Sequence, residues 1–187
     1  MRSSHIYQTL EDRDNPDEVV REGPYPCNRI NAWLGKGYYF WEHYVEHAHW
    51  WGQKGGGYNG SYFVCSAEID YDESNCLDLV DNYHHKVDFK EAYDLCKEKH
   101  GDVLVYQVID LMIKGFERMG REFPYAAIRT QSENHSTSLK VRYSNNQKNS
   151  FLELTPLIQI CIKMFKTLKF RDFRIIHPEI YDDRQVF

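Results

Sequence analysis

The order of elements along the chain predicts an α+β fold: a split, antiparallel-rich β-sheet core with flanking helices. Three observations carry that expectation. Strand-like segments open the chain, two long helical segments occupy its middle, and further strand-like segments close it. Strands, then helices, then strands favour a segregated arrangement over an alternating, doubly wound one. The 187 residues read as a single domain, 1–187, with no repeat, linker or low-complexity block.

Each element has a local reason. Residues 6–9 read as a short strand. Residues 10–26 are acidic and broken by Asn15-Pro16 and Gly23-Pro24, so they read as loop with a short helix near 17–21. Residues 38–41 read as a strand and 42–51 as a helix ended by Gly52. Four glycines make residues 53–60 a loop. Residues 61–69, rich in β-branched and aromatic types, read as a strand. Two helices follow, 88–99 ended by Gly101 and 102–119 ended by Gly120. In the second, Tyr106, Val108, Ile109, Met112, Ile113 and Phe116 belong to a broad apolar stripe. Residues 126–129, 139–141, 157–163 and 168–176 read as strands. Residues 145–150 read as a polar loop, and His84-His85 as a solvated pair in a loop.

Composition narrows the function classes. A net charge of −5 argues against general, charge-driven nucleic-acid binding. The charge is uneven, however: residues 140–174 hold eight Lys/Arg and two Asp/Glu, a local +6 that leaves −11 elsewhere. A basic C-terminal third suits a phosphate backbone or an acidic partner. Aromatic content is high at 15%, which fits a ligand groove, a partner surface or an aromatic core. The five scattered cysteines form no CxxC pair, so reduced thiols in a cytoplasmic protein are expected. The N-terminus has no apolar core of a secretory signal, and no apolar run is long enough to span a bilayer. No membrane association is expected.

The chemistry concentrates in Leu34-Gly-Lys-Gly-Tyr-Tyr-Phe-Trp41, followed by Glu46-His-Ala-His-Trp-Trp-Gly52. Glycine lets backbone approach a ligand where a Cβ would clash. Adjacent aromatics on a strand face opposite sides, so one can meet a ligand while the other packs. That combination suits a flat aromatic ligand such as nicotinamide.

Gly35-Lys-Gly-Tyr-Tyr-Phe, aligned without a gap through Trp50, resembles the signature of the poly(ADP-ribose) polymerase-like branch of the ADP-ribosyltransferase superfamily. The resemblance covers about twenty residues closely, and the rest of the chain through element order. It implies NAD+ as co-substrate, no metal, and transfer of ADP-ribose to a macromolecular acceptor. Tyr39 and Trp50 fall on the two aromatics that sandwich nicotinamide. Gly35, Gly37 and Tyr38 fall on the cofactor-binding turn and strand, with Gly37 keeping the wall thin. His47 falls where the family has a serine that bonds the nicotinamide amide. The first family motif finds its match in Ile6-Tyr-Gln-Thr9. Gln8 then stands where a ribose-binding histidine is usual, Thr9 follows it, and His5 is the alternative if the register differs. In the third motif Gln159 stands in place of glutamate, with Glu153 as alternative. A neutral amide can orient the reacting ribose but offers little charge stabilisation and cannot act as a base. The change points toward single transfer rather than chain elongation. The resemblance further implies a toxin or anti-phage effector, with an antitoxin protein as a partner. RNA or DNA is slightly favoured over protein as acceptor, from the basic third with its interleaved aromatics.

Other constellations compete. His43-x-x-Glu46-His47 is a literal HxxEH; on one helix its imidazoles would share a face, as zinc requires, with Glu42 and His49 nearby. That pattern would make a zinc-dependent hydrolase. Loss of both the family histidine and glutamate would suit a catalytically degenerate NAD- or ADP-ribose-binding module. Gln131-Ser-Glu133 and Ser136-Thr-Ser138 match motifs of another transferase branch, but in reversed order, and read as loop residues.

Overall fold

The computed structural model describes residues 1–29, 32–58, 60–132, 138–144 and 150–182. The first half contains β1 (Arg2–Glu11), α1 (Pro16–Glu22), β2 (Tyr38–Glu42), α2 (Val45–Trp50), β3 (Tyr62–Tyr71) and β4 (Cys76–Asp78). The second contains α3 (Tyr83–His100), α4 (Val105–Arg118), β5 (Ala127–Gln131), β6 (Lys140–Arg142), β7 (Phe151–Glu153), β8 (Ile158–Ile162) and β9 (Arg171–His177). The class is mixed α+β. Seven strands form one sheet in the order β4-β5-β8-β2-β1-β3-β9, and its pairs are antiparallel except β4 with β5. β6 and β7 form a separate antiparallel ribbon.

Strand periodicity explains how the sheet is sandwiched. On β2, Phe40 packs with Ile6, Ile160 and Ile162 on one face, and Tyr38 joins that cluster. Tyr39 and Cys161 belong instead to the cluster with Leu34, Ile109 and Ile128, where α4 covers the sheet. This is the period-two alternation expected of adjacent aromatics. β8 is buried from end to end, as a central strand should be. Phe40 and Phe63 are fully buried, each stabilising the fold by roughly 2–3 kcal/mol.

One irregularity positions the site. β1 pairs with β3 over ten residues, but with β2 only at Ile6↔Glu42 and Tyr7↔Trp41. Beyond Tyr7 the two strands part. The sheet is split between Gln8–Leu10 on one strand and the start of β2 on the other.

Several expected elements differ in extent. β1 is longer than residues 6–9, because ten cross-strand pairs to β3 hold it. Glu42 ends β2 rather than opening a helix. α2 begins at Val45, and instead of stopping at Gly52 the chain continues as a π-helical turn, Trp51–Gly55. α3 begins at Tyr83, so His84 and His85 are helical, not in a loop. His85 is buried, accepting from the Asp78 amide at 3.0 Å and packing edge-on against Tyr125. β4 and β7 were not anticipated; both are three-residue strands, too short to carry a period. The expected loop at residues 145–150 falls, except for Ser150, outside the described residues.

Candidate functional site

The parting of β1 from β2 opens a cavity of about 370 Å³, within the range of small-molecule sites. Its buried members are Gln8 and Thr9 from β1, Trp41 from β2 and Gln159 from β8, with Ala32 beside them; Tyr39 is half-buried. Trp33, Trp51, Tyr58 and Arg29 also line it, giving a markedly aromatic surface. Trp41 sits opposite Gln159, and Tyr39 opposite Cys161, in the β2–β8 register. Tyr39, Trp41 and Gln159 therefore share one face by strand geometry.

The Gln8 amide is engaged at both ends. Its Nε2 donates to the Tyr25 carbonyl at 2.9 Å, and its Oε1 accepts from the Tyr25 amide at 3.0 Å. Nε2 also reaches toward the Tyr39 carbonyl, 3.5 Å away across the split. Gln8 thus fixes the segment that walls the cavity. Thr9 Oγ1 donates to the Ala48 carbonyl at 2.7 Å, tying β1 to α2, and keeps acceptor capacity. The Tyr39 phenol accepts from the Leu34 amide at 2.8 Å and donates to the Gly35 carbonyl at 2.7 Å. Burial pushes its pKa well above the ordinary phenol range, so it stays neutral. Gln159 differs from these: among the described residues its buried Oε1 has no hydrogen-bond donor. A buried, unmet acceptor costs roughly 1–3 kcal/mol, and a ligand hydroxyl or amide N–H could relieve it.

Several expected site residues lie elsewhere. His5, three residues before Gln8, projects from the other face of β1 and pairs with Glu68 at 3.4 Å. Glu153 lies in β7, bonded by Gln131 at 2.8 Å; of the two third-motif candidates, Gln159 reaches the cavity. Tyr38 packs edge-on against Phe165 at 4.7 Å, on the face away from Tyr39. Gly37 serves strand packing: a Cβ there would lie 2.6 Å from Cys161 Sγ and 2.7 Å from the Ile162 carbonyl. Gly35, at φ +77°, makes the turn whose carbonyl Tyr39 holds. His47 is fully buried between the rings of Trp41 and Tyr44, and burial lowers its pKa.

Trp51, rather than Trp50, lines the cavity. Trp50 packs edge-on against Trp41, with centroids 6.5 Å apart. The π-helical turn begins at Trp51, and the Gly56 amide donates to the Trp51 carbonyl at 2.6 Å. Trp51 then stands T-shaped to Trp33 at 6.4 Å. Sequence reasoning also missed Arg29, whose Nη2 donates to the Gly56 carbonyl at 3.3 Å. No local pattern marks it. The glycine run after Trp51 was the signal for an irregular helix end.

The HxxEH reading loses its geometry. His43, at φ +65°, precedes α2, so His43 and His47 are not i, i+4 on one helix. Glu42 is buried in contact with Arg129, Ser4 and Tyr71. No group of three metal-type side chains gathers among the described residues. Glu133 and the start of Ser136-Thr-Ser138 fall outside the described residues. No family model, curated protein or solved structure matches this chain.

Proposed function

We propose that this chain is an NAD+-dependent mono-ADP-ribosyltransferase with the split sheet of that superfamily. The observation that carries the reading is the convergence of Gln8, Tyr39 and Gln159, from three strands, on one aromatic cavity. Flat indole and phenol faces suit a nicotinamide ring. Arg29 suits the pyrophosphate. Gln159, with its unmet Oε1, would accept from a ribose hydroxyl and hold C1′ toward the acceptor. In the transfer the C1′–N1 bond of NAD+ breaks, and its electron pair neutralises the nicotinamide. A bond from the acceptor nucleophile to C1′ forms, and the nucleophile's proton passes to solvent. The leaving group is already cationic, so positioning supplies most of what the protein must do.

The lining also supports a second reading. Among the described residues of the cavity there is no carboxylate, and Gln8 is held by Tyr25. A module that binds NAD+ without turnover would look the same. One experiment separates the two. The purified chain is incubated with labelled NAD+ and lysate in the presence of EDTA, and the products are digested separately with nuclease and protease. Transfer abolished by Tyr39→Ala and Gln159→Ala supports the transferase. NAD+ binding without nicotinamide release supports the module.

A further inference from the structure

Building on the transferase reading, we propose that the acceptor is single-stranded nucleic acid and that it docks in a second groove beside the cavity. This groove, about 720 Å³, runs between α4 and the turn at residues 34–36. Arg29 lines both spaces, so a ligand in one lies next to a ligand in the other. Leu34 and Ile109 give the groove an apolar, buried part, and half-buried Tyr106 adds an aromatic ring. Arg29, Lys36 and Lys163 bring three positive charges to it. Lys163 Nζ donates to the Leu34 and Lys36 carbonyls, each at 2.6 Å, which fixes its charge at the groove. Asp110 also lines it, but its carboxylate is held by Lys114 on the same helix.

Among the described residues Lys36 and Lys163 have no ion-pair partner, whereas Arg171 is bound by Glu68 and Asp70, and Lys140 faces Glu153. With Arg29 given to the NAD+ pyrophosphate, Lys36 and Lys163 are the groove's cations left for the acceptor, a local attractive field in a chain of net charge −5. Phosphates on the cations with a base stacked on the tyrosine is how single strands are held. An acidic peptide would meet the cations but leaves the ring unexplained.

The test is fluorescence anisotropy with labelled, mixed-sequence single-stranded RNA and DNA oligonucleotides, alongside a separate assay of nicotinamide release. The wild type is expected to bind one or both, more weakly as salt rises. Lys36→Ala should reduce the log–log salt slope by about 1. Tyr106→Ala should weaken binding roughly tenfold, the loss of one base stack, and Tyr106→Phe should retain it. Lys86→Ala, on α3 outside the groove, should leave it unchanged. Nicotinamide release without oligonucleotide binding, transfer to protein alone, or binding indifferent to Lys36 and Tyr106 would overturn the inference. Absence of nicotinamide release would sink the transferase reading, and this inference with it.

Discussion

Gln159 and Tyr39 show two ways a polar side chain can stand at a cavity. The Tyr39 phenol is spent on backbone, bridging Leu34 and Gly35, while the residue lines the cavity. Tyr39→Phe should therefore cost roughly 1–3 kcal/mol in urea denaturation, because an amide and a carbonyl lose their partner. Its ring remains, so NAD+ affinity should fall much less than in Tyr39→Ala; equal losses in the two variants would argue against stacking. Gln159 carries the opposite signature, a buried acceptor with no donor among the described residues. Gln159→Leu should leave stability unchanged or raised while abolishing NAD+ turnover, since polar groups held unmet for a ligand weaken the empty protein. A strongly destabilised Gln159→Leu would mark the residue as structural. At this scale the sequence was informative where a residue lies on a regular strand. The choices of Gln8 over His5 and of Gln159 over Glu153 both follow from which face or strand the cavity uses. Arg29 was invisible, because its place depends on a Gly56 carbonyl distant in sequence.

Among the elements, the π-helical turn after α2 and the parting of β1 from β2 shape the cavity. Neither has a periodic signature. The turn presses Gly52 against β3, where a Cβ would lie 2.4 Å from the Tyr62 ring. Gly52→Ala should destabilise by roughly 1–3 kcal/mol through overpacking and shift tryptophan fluorescence by moving Trp51. A variant within about 0.5 kcal/mol of wild type, as neutral surface changes are, would show that the turn yields freely. The exchange of Trp50 for Trp51 at the cavity has the same origin. Residues 42–51 read as one helix through both tryptophans, whereas the backbone changes pitch between them. Long strands and helices were legible in kind, with ends displaced by up to five residues, as at β1 and α3. Of the three-residue strands, β6 was legible near residues 139–141, whereas β4 and β7 were not, because pairing rather than local propensity creates them.

Across the molecule, a buried charge network ties β1, β2, β4 and β5 together. Arg129 donates to Glu42 at 2.7 Å, Asp78 at 3.0 Å and Asp81 at 2.8 Å, while Ser4 and Tyr71 bond the same Glu42. Burial, the largest influence, opposes the guanidinium charge, but Glu42, Tyr71 and Asp78 together outweigh it and the pKa of Arg129 is raised. Arg129→Met would strand Glu42 and should cost about 3–5 kcal/mol, read by denaturation. Acid should destabilise in two stages. Burial lowers the pKa of His47 and His49 from about 6.5, so the unfolded chain binds protons first and stability declines as pH falls below that value. Asp81, held low by its hydrogen bond from Arg2 and then by Arg129, adds a second loss as pH drops through the carboxylate range. Denaturation midpoints followed from neutral to acid pH should show both stages, and His47→Asn should flatten the first. The α+β class with its mostly antiparallel sheet was legible from element order alone; this network, joining residues up to 87 positions apart, was not. The central claim is that the cavity at the split binds NAD+ and breaks its nicotinamide bond. The most direct measurement is nicotinamide release from NAD+ by the full chain with EDTA present, compared with Tyr39→Ala and Gln159→Leu. Release by the wild type that both substitutions abolish is the predicted result. Release that survives both, or none from a wild type that is folded, would contradict it.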